Sequence, residues 1–135
     1  MHDLSRCLIA YEAREKHPSA PPAFLVCEKL RPNLANLMGS AGFCALLSRA
    51  LTVARSENVW LLAVQVDAHG TLGVSEGVTT GFDPIETTEG GIVLVAHLLG
   101  LLAAFIGDSL TLRLVRDIWP KLPLADSNFT KGDHL

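Results

Sequence analysis

The sequence predicts a compact, mainly helical domain (mainly α, in an α+β sense) of about five helices, with one small β-hairpin near residues 60–74. Apolar residues recur at helical spacing through most of the chain, and the period becomes strand-like only around that hairpin. Prolines and glycines divide the chain into stretches of ordinary helix length. The 135 residues fit one domain of ordinary size.

Residues 1–17 are predicted to form an N-terminal helix or arm. Leu4 and Leu8 begin an apolar stripe at helical spacing, and Glu12 with the charges after it makes the end of this helix polar. Residues 18–22 contain three prolines, which cannot continue a helix, and are interpreted as a stiff linker. This arrangement predicts that the first helix is separable from the core.

The helical core domain is predicted to span residues 23–122. Its first helix covers 23–38, with Pro32 as an expected kink and Gly39 as its end. Residues 41–56 form the clearest amphipathic helix of the chain, with apolar positions repeating at i, i+3, i+4 and i+7. The glycine therefore separates two helices.

A β-hairpin is predicted next in the chain. The run 60–66 is β-prone, and residues 71–74 are expected to pair back on it through a turn. A lone hairpin is unstable in water. We therefore expect this one to pack on the helices or to pair with another copy.

The longest apolar stretch lies in a helix predicted over residues 84–106. Asp83 supplies its N-cap, whereas the glycine pair at 90–91 costs roughly 2 kcal/mol relative to two alanines and leaves the continuity of the helix open. Residues 92–106 are apolar on every side apart from His97. A helix of this kind is normally buried, so it is expected at the centre of the domain.

A last helix is predicted over residues 109–119. Gly107 ends the preceding helix, and Asp108 is expected to cap the new one. Leu110 and the apolar residues at helical spacing from it are expected to face the core. Residues 123–135 are polar and are predicted to form a disordered tail.

Composition and charge argue against several classes of protein. The formal net charge is −3, and each basic cluster has acids nearby, so we expect no nucleic-acid partner. The three cysteines are predicted to be free thiols, and the first residues are too charged for a secretory signal, which favours a cytoplasmic location. The apolar run 90–106 would span about 26 Å against a hydrocarbon core of about 30 Å, and it lacks basic anchors, so a buried helix is favoured over a membrane span.

The string GDSL at residues 107–110 matches the serine motif of the GDSL esterases, with Ser109 in the place of the nucleophile. In that family the motif follows the first strand and works with an Asp-x-x-His block. Here it follows a helix near the C-terminus, and only Asp133 and His134 lie downstream, at the wrong spacing. The match is interpreted as chance. No other catalytic or nucleotide-binding motif is present, so no catalytic residue and no enzyme is predicted.

His97 is the strongly polar residue of an otherwise apolar segment. A metal or haem site would need a second ligand, and neither i+3 nor i+4 supplies one. We interpret His97 as a core histidine bonded to a carbonyl, or as one that faces a dimer seam. No metal site and no cofactor is predicted.

The apolar share of the chain gives the strongest indication of function. Hydrophobic residues make up 49%, and 11 glycines add to them, which exceeds the usual share of about 45–50% with glycine included. We therefore expect a non-enzymatic protein–protein interaction module (an adaptor, regulatory or accessory subunit) that forms a homodimer and has a further protein as a second partner. The expected interaction residues are Val95, Leu98, Leu99, Leu102 and Trp119.

Two alternatives to this interpretation stay open. One is a ligand-sensing module with a pocket between the helices near His97, and the other is a subunit of a larger enzyme complex. A bound small molecule would favour the sensor, although the sequence itself gives no reason to expect one.

Overall fold

A computed structural model of the chain describes residues 2–15, 22–67, 70–74 and 84–120. The elements in chain order are α1 (His2–Glu15), α2 (Pro22–Ala54), a 3-10 helix (Val59–Ala63), β1 (Val64–Val66), β2 (Leu72–Val74), α3 (Pro84–Ile106) and α4 (Asp108–Ile118). The prediction of a mainly helical fold with one small hairpin is confirmed. Most of the predicted linker at 18–22, the expected Asp83 cap and the tail at 123–135 lie outside the described residues.

Helix α2 contains both helices predicted on either side of Gly39. The backbone leaves helical geometry at this residue, with φ +83° and ψ 158°, a conformation that favours glycine. The chain is therefore kinked there without an intervening loop, and α2 consists of two helical segments on either side of Gly39, as the sequence predicts. Pro32, the other expected kink, keeps helical backbone angles.

The hairpin is shorter than predicted. Strands β1 and β2 pair antiparallel with Val64 opposite Val74 and Val66 opposite Leu72. The residues from Val59 to Ala63 form a 3-10 helix instead of the first part of the strand. Asn58 caps that helix, because its side-chain oxygen accepts a hydrogen bond from the backbone N–H of Trp60 at 2.9 Å.

Helix α3 is continuous through Gly90 and Gly91, which settles the question left open by the sequence. A Cβ at position 90 would lie 2.7 Å from Cε3 of Trp60, and one at position 91 would lie 2.8 Å from Cβ of Ala23. The two glycines therefore let α3 approach the 3-10 helix and the start of α2 closely. Their cost in helix propensity is offset by this packing.

The core lies between α2 and α3, which form the most extensive contact in the described fold. Helix α1 packs onto both, with Leu4 and Leu8 fully buried, and the Ser5 hydroxyl donates a hydrogen bond to the carbonyl of Ile92 at 2.7 Å. The first helix is thus part of the core packing, and whether it is separable, as expected from the sequence, stays a prediction. Deep burial of its apolar stripe explains this position.

Helix α4 is rotated relative to the prediction. Its buried residues are Thr111 and Val115, whereas Leu110 is 43% exposed. Thr111 is tolerated inside because its hydroxyl donates to the carbonyl of Gly107 at 2.8 Å. Asp108 is the first helical residue and Gly107 occupies the N-cap without a side-chain hydrogen bond, so the expected Asp108 cap is wrong.

Candidate functional site

The five residues expected to meet a partner lie inside the chain. Each is at most 2% exposed, and they contact neighbouring helices of the same molecule: Val95, Leu98, Leu99, Leu102 and Trp119. The other helices of the chain cover the apolar stripe that was expected to face a second copy. A surface that binds a partner must therefore be built from other residues.

An exposed apolar surface does exist, where α2 passes the end of α3 and the start of α4. Its large exposed side chains are Leu37 at 47%, Phe105 at 68% and Leu110 at 43%. The partly buried side chains of Met38, Leu46 and Leu114 line the same grooves as these exposed residues. We call these six residues the apolar surface.

Two shallow grooves follow the apolar surface. One, of about 410 Å³, lies between the first half of α2 and α4, and Leu37, Leu110 and Leu114 line it. The other, of about 330 Å³, lies between the second half of α2 and the end of α3; its lining residues are Met38, Gly42, Ala45, Leu46, Arg49 and Phe105. Leu37 in the lining of the first groove and Met38 in the lining of the second are consecutive residues of α2.

Charged side chains border the apolar surface. Arg113 and Asp117 line the first groove together with two asparagines, and Arg49 lines the second. None of these three charged side chains forms an ion pair with another described residue. The two grooves thus combine apolar side chains with unpaired charges of both signs.

The sequence contains a signal for this exposed face of α4. Thr111, Val115 and Trp119 are spaced four residues apart and form the buried stripe of α4. Assigning the inner face to that stripe turns Leu110 and Leu114 toward the outside. The prediction that Leu110 and Leu114 share the inward face of α4 with Val115 concealed the exposed apolar face.

A buried ionic cluster joins α1, α2 and the end of α4. The carboxylate of Glu12 is fully buried, and its Oε2 contacts the ammonium of Lys29 and accepts a hydrogen bond from Nε1 of Trp119 at 2.8 Å. The Lys29 ammonium also lies 5.9 Å from the ring centres of both Tyr11 and Trp119. Glu12 was expected at the polar end of a helix, so its role in tertiary packing was missed.

The second oxygen of Glu12, Oε1, has no hydrogen-bond partner among the described residues. The cluster holds one buried anion against one cation that is 34% exposed. A lone buried carboxylate would be costly, so Lys29 neutralises a charge that packing has removed from water. We assign the cluster a structural role.

His97 is neither buried among apolar side chains nor bonded to a backbone carbonyl. Its Nε2 contacts Oε2 of Glu57, which lies in the turn after α2, and the two side chains are 32% and 50% exposed. Ser109 lies exposed in the first turn of α4. Among the described residues, no three His, Cys, Asp or Glu side chains come together as metal ligands.

The cysteine side chains lie in two environments. Cys7 and Cys44 are half-buried, and Cys27 is buried. Burial raises the pKa of Cys27 from 9.0 to about 12, and the negative charge of Glu28 adds to the effect. Because the thiolate is the nucleophile, Cys27 is unreactive at neutral pH.

Two described helices are long and apolar enough to cross a membrane, judged by length and composition. They are α2 and the stretch Ile85–Ile106 of α3, with 28% and 44% of their most apolar windows buried. Core helices of soluble proteins pass the same test, so the observation does not assign a location.

Comparison with known protein families, with curated proteins and with solved structures gave no match to this chain. A function therefore has to be argued from its own residues and their geometry.

Proposed function

We propose that the chain is a non-enzymatic interaction module that associates with a second copy of itself through the apolar surface. The observation that carries this proposal is the exposure of Leu37, Phe105 and Leu110, three large apolar side chains that line two grooves beside α2. Exposed groups of large apolar side chains are typical of interaction sites.

The composition of the surface supports this assignment. Protein interfaces have an apolar centre enriched in aromatic residues and methionine, and a polar rim in which arginine is common. Phe105 and Met38 supply an aromatic and a methionine side chain to this surface, and Arg49 and Arg113 line the same grooves. Exposed Phe105 has the character of an anchor that a partner would enclose.

The charges favour a second copy over an unrelated partner. Arg49 and Arg113 carry one sign and Asp117 carries the other, so the surface is neither uniformly basic nor uniformly acidic. A surface with both signs is able to complement itself when a two-fold axis brings two copies together. Closed two-fold dimers are also the commonest symmetric assembly.

The alternative of ligand sensing near His97 has weaker support. The imidazole contacts the carboxylate of Glu57, so its Nε2 is occupied from within the chain. Neither of the two apolar grooves includes His97 in its lining. A role as a subunit of a larger enzyme complex would use the same apolar surface for a different partner.

Sedimentation equilibrium over a range of protein concentrations tests the proposal. The unaltered chain is expected to form a dimer, and Phe105→Ser is expected to give a monomer with unchanged helical circular dichroism. Ile85→Ser is the matched control, since Ile85 is 70% exposed on the same helix, about 30 Å from Phe105 along its axis. That variant is expected to remain a dimer.

Two results would overturn self-association through this surface. One is a monomer at every concentration up to the high micromolar range. The other is binding of the monomer to phosphatidylcholine vesicles, if Phe105→Ser abolishes this binding and Ile85→Ser preserves it. The apolar surface would then bind a membrane and not a second copy.

A further inference from the structure

We infer that two copies pair through α4, which packs antiparallel on α4 of the partner subunit with Arg113 of each copy opposite Asp117 of the partner subunit. This inference rests on the proposed self-association and adds the geometry of the contact. The observation that supports it is that Arg113 and Asp117, which form no ion pair within the described residues, line the same groove and lie on the same face of α4.

The outer face of α4 has the pattern of a helix interface. Leu110, Arg113, Leu114 and Asp117 follow the spacing i, i+3, i+4 and i+7, and all four line the first groove. The opposite side of the helix is already used, because Thr111 and Val115 are buried in the chain's own core. The outer face is thus apolar along its middle and carries one cation and one anion.

The two charges have no partner within the described part of the chain. Arg113 and Asp117 are four residues apart, a spacing that permits an ion pair on one helix, yet no such pair is formed. Both side chains are exposed beside leucines. An ion pair formed against this apolar background would be shielded from water and therefore stronger than an ordinary surface pair.

The order of the charges along α4 selects the antiparallel arrangement. In a parallel pair related by a two-fold axis, Arg113 would face Arg113 of the partner subunit and Asp117 would face Asp117 of the partner subunit, and both contacts would be repulsive. In an antiparallel pair the axis passes beside residue 115, midway between the two charges. Each arginine then lies level with an aspartate, and the two Leu114 side chains meet next to the axis.

A charge-swap experiment on the full chain tests this pairing. Arg113→Asp gives a chain with two acidic positions, and Asp117→Arg gives a chain with two basic positions. Each variant alone should dimerise at least about tenfold more weakly, since two attractive contacts become two repulsive ones. An equal mixture of the two variants should form a heterodimer of nearly the original affinity, because every acidic position then meets a basic one.

The measurement is sedimentation velocity on each variant and on the mixture, with native mass spectrometry of isotope-labelled copies to identify the heterodimer. The double variant Arg113→Asp with Asp117→Arg should also recover dimerisation. Arg116→Asp is the matched control, since it makes the same charge change on the same helix but outside the groove. It should leave the dimer within about twofold of the original affinity. Circular dichroism checks that each variant is folded.

Each outcome separates this inference from the proposed function. If the unaltered chain is monomeric, self-association itself is wrong. If it dimerises but the single variants dimerise equally well, the dimer uses another contact and the α4 pairing is wrong. If the single variants weaken and the mixture does not recover, the two charges do not face each other, which also overturns the pairing. Selective heterodimer formation establishes it.

Discussion

The indole Nε1 of Trp119 donates a hydrogen bond to Oε2 of Glu12 at 2.8 Å, and so connects residues 107 positions apart. The same oxygen contacts the Lys29 ammonium, which brings α1, α2 and the end of α4 to one buried carboxylate. Residues near both ends of the described chain therefore depend on one charged group. The packing of α1, α2 and the end of α4 against each other therefore depends on the side chains of Glu12, Lys29 and Trp119.

We predict that Lys29→Met destabilises the fold more than Glu12→Gln does. Removing the lysine leaves a fully buried carboxylate without a cation, which typically costs about 3–5 kcal/mol, with the lower end expected because Lys29 is 34% exposed. Removing the charge of Glu12 leaves an ammonium that can still reach water, at an expected cost of about 1–2 kcal/mol. Urea unfolding of each variant measures the difference.

The double variant Glu12→Leu with Lys29→Met serves as the control for this prediction. Replacing a buried ion pair by apolar residues of similar volume is often neutral, so the double variant should be more stable than Lys29→Met alone. Equal stability of the two single variants would mean that the carboxylate is not isolated from water when Lys29 is absent.

We predict that Gly90→Ala and Gly100→Ala shift stability in opposite directions, although both lie in α3. Alanine is favoured over glycine in a helix by about 1 kcal/mol. At position 100 the new methyl group meets no atom within 4 Å, so the variant should gain up to that amount. At position 90 the methyl group would lie 2.7 Å from the Trp60 ring and 2.8 Å from Oδ1 of Asn58, so packing should be lost.

Thermal unfolding by circular dichroism measures both glycine variants. Overpacking typically costs about 1–3 kcal/mol, so Gly90→Ala should melt at a lower temperature than the unaltered chain. A higher melting temperature for Gly90→Ala would contradict the close approach of α3 to the 3-10 helix.

Helix α1 is predicted to contribute to global stability. Leu8→Ala removes a fully buried side chain and should lower the free energy of unfolding by about 2–5 kcal/mol. Leu62→Ala makes the same change at a residue that is 63% exposed, and it should remain within about 0.5 kcal/mol of the unaltered chain. Chemical denaturation of both variants tests this. A small effect of Leu8→Ala would instead support the expectation from the sequence that α1 is separable from the core.

Cys27 is predicted to make the fold sensitive to alkaline pH. Burial raises its pKa from 9.0 to about 12, so the folded chain holds a proton that the unfolded chain releases between these values. The stabilisation is fully present below pH 9.0 and declines as the pH rises toward about 12. Cys27→Ala should therefore lose less of its free energy of unfolding than the unaltered chain between pH of about 9 and about 11.

Urea titrations at several alkaline pH values compare the two chains. The decisive quantity is the slope of the free energy of unfolding against pH, since Cys27→Ala also changes core packing at every pH. Equal slopes would mean that Cys27 is accessible to water in the folded chain.

The sequence by itself determined the helical class, the position of the hairpin and the breaks at Gly39 and Gly107. These features follow from local physics, because side-chain periodicity and the backbone freedom of glycine act within a few residues. The long helix 84–106 was also predicted, with only its continuity left open.

Only the tertiary structure decided which apolar residues meet each other and which remain exposed. Val95 and Leu110 look equally suited to a core in the sequence, yet the first is fully buried and the second is 43% exposed. The burial of Glu12 likewise depends on Lys29 and Trp119, which are distant in sequence. Periodicity tells which residues share a helix face, whereas the packing of helices distant along the chain determines what covers that face.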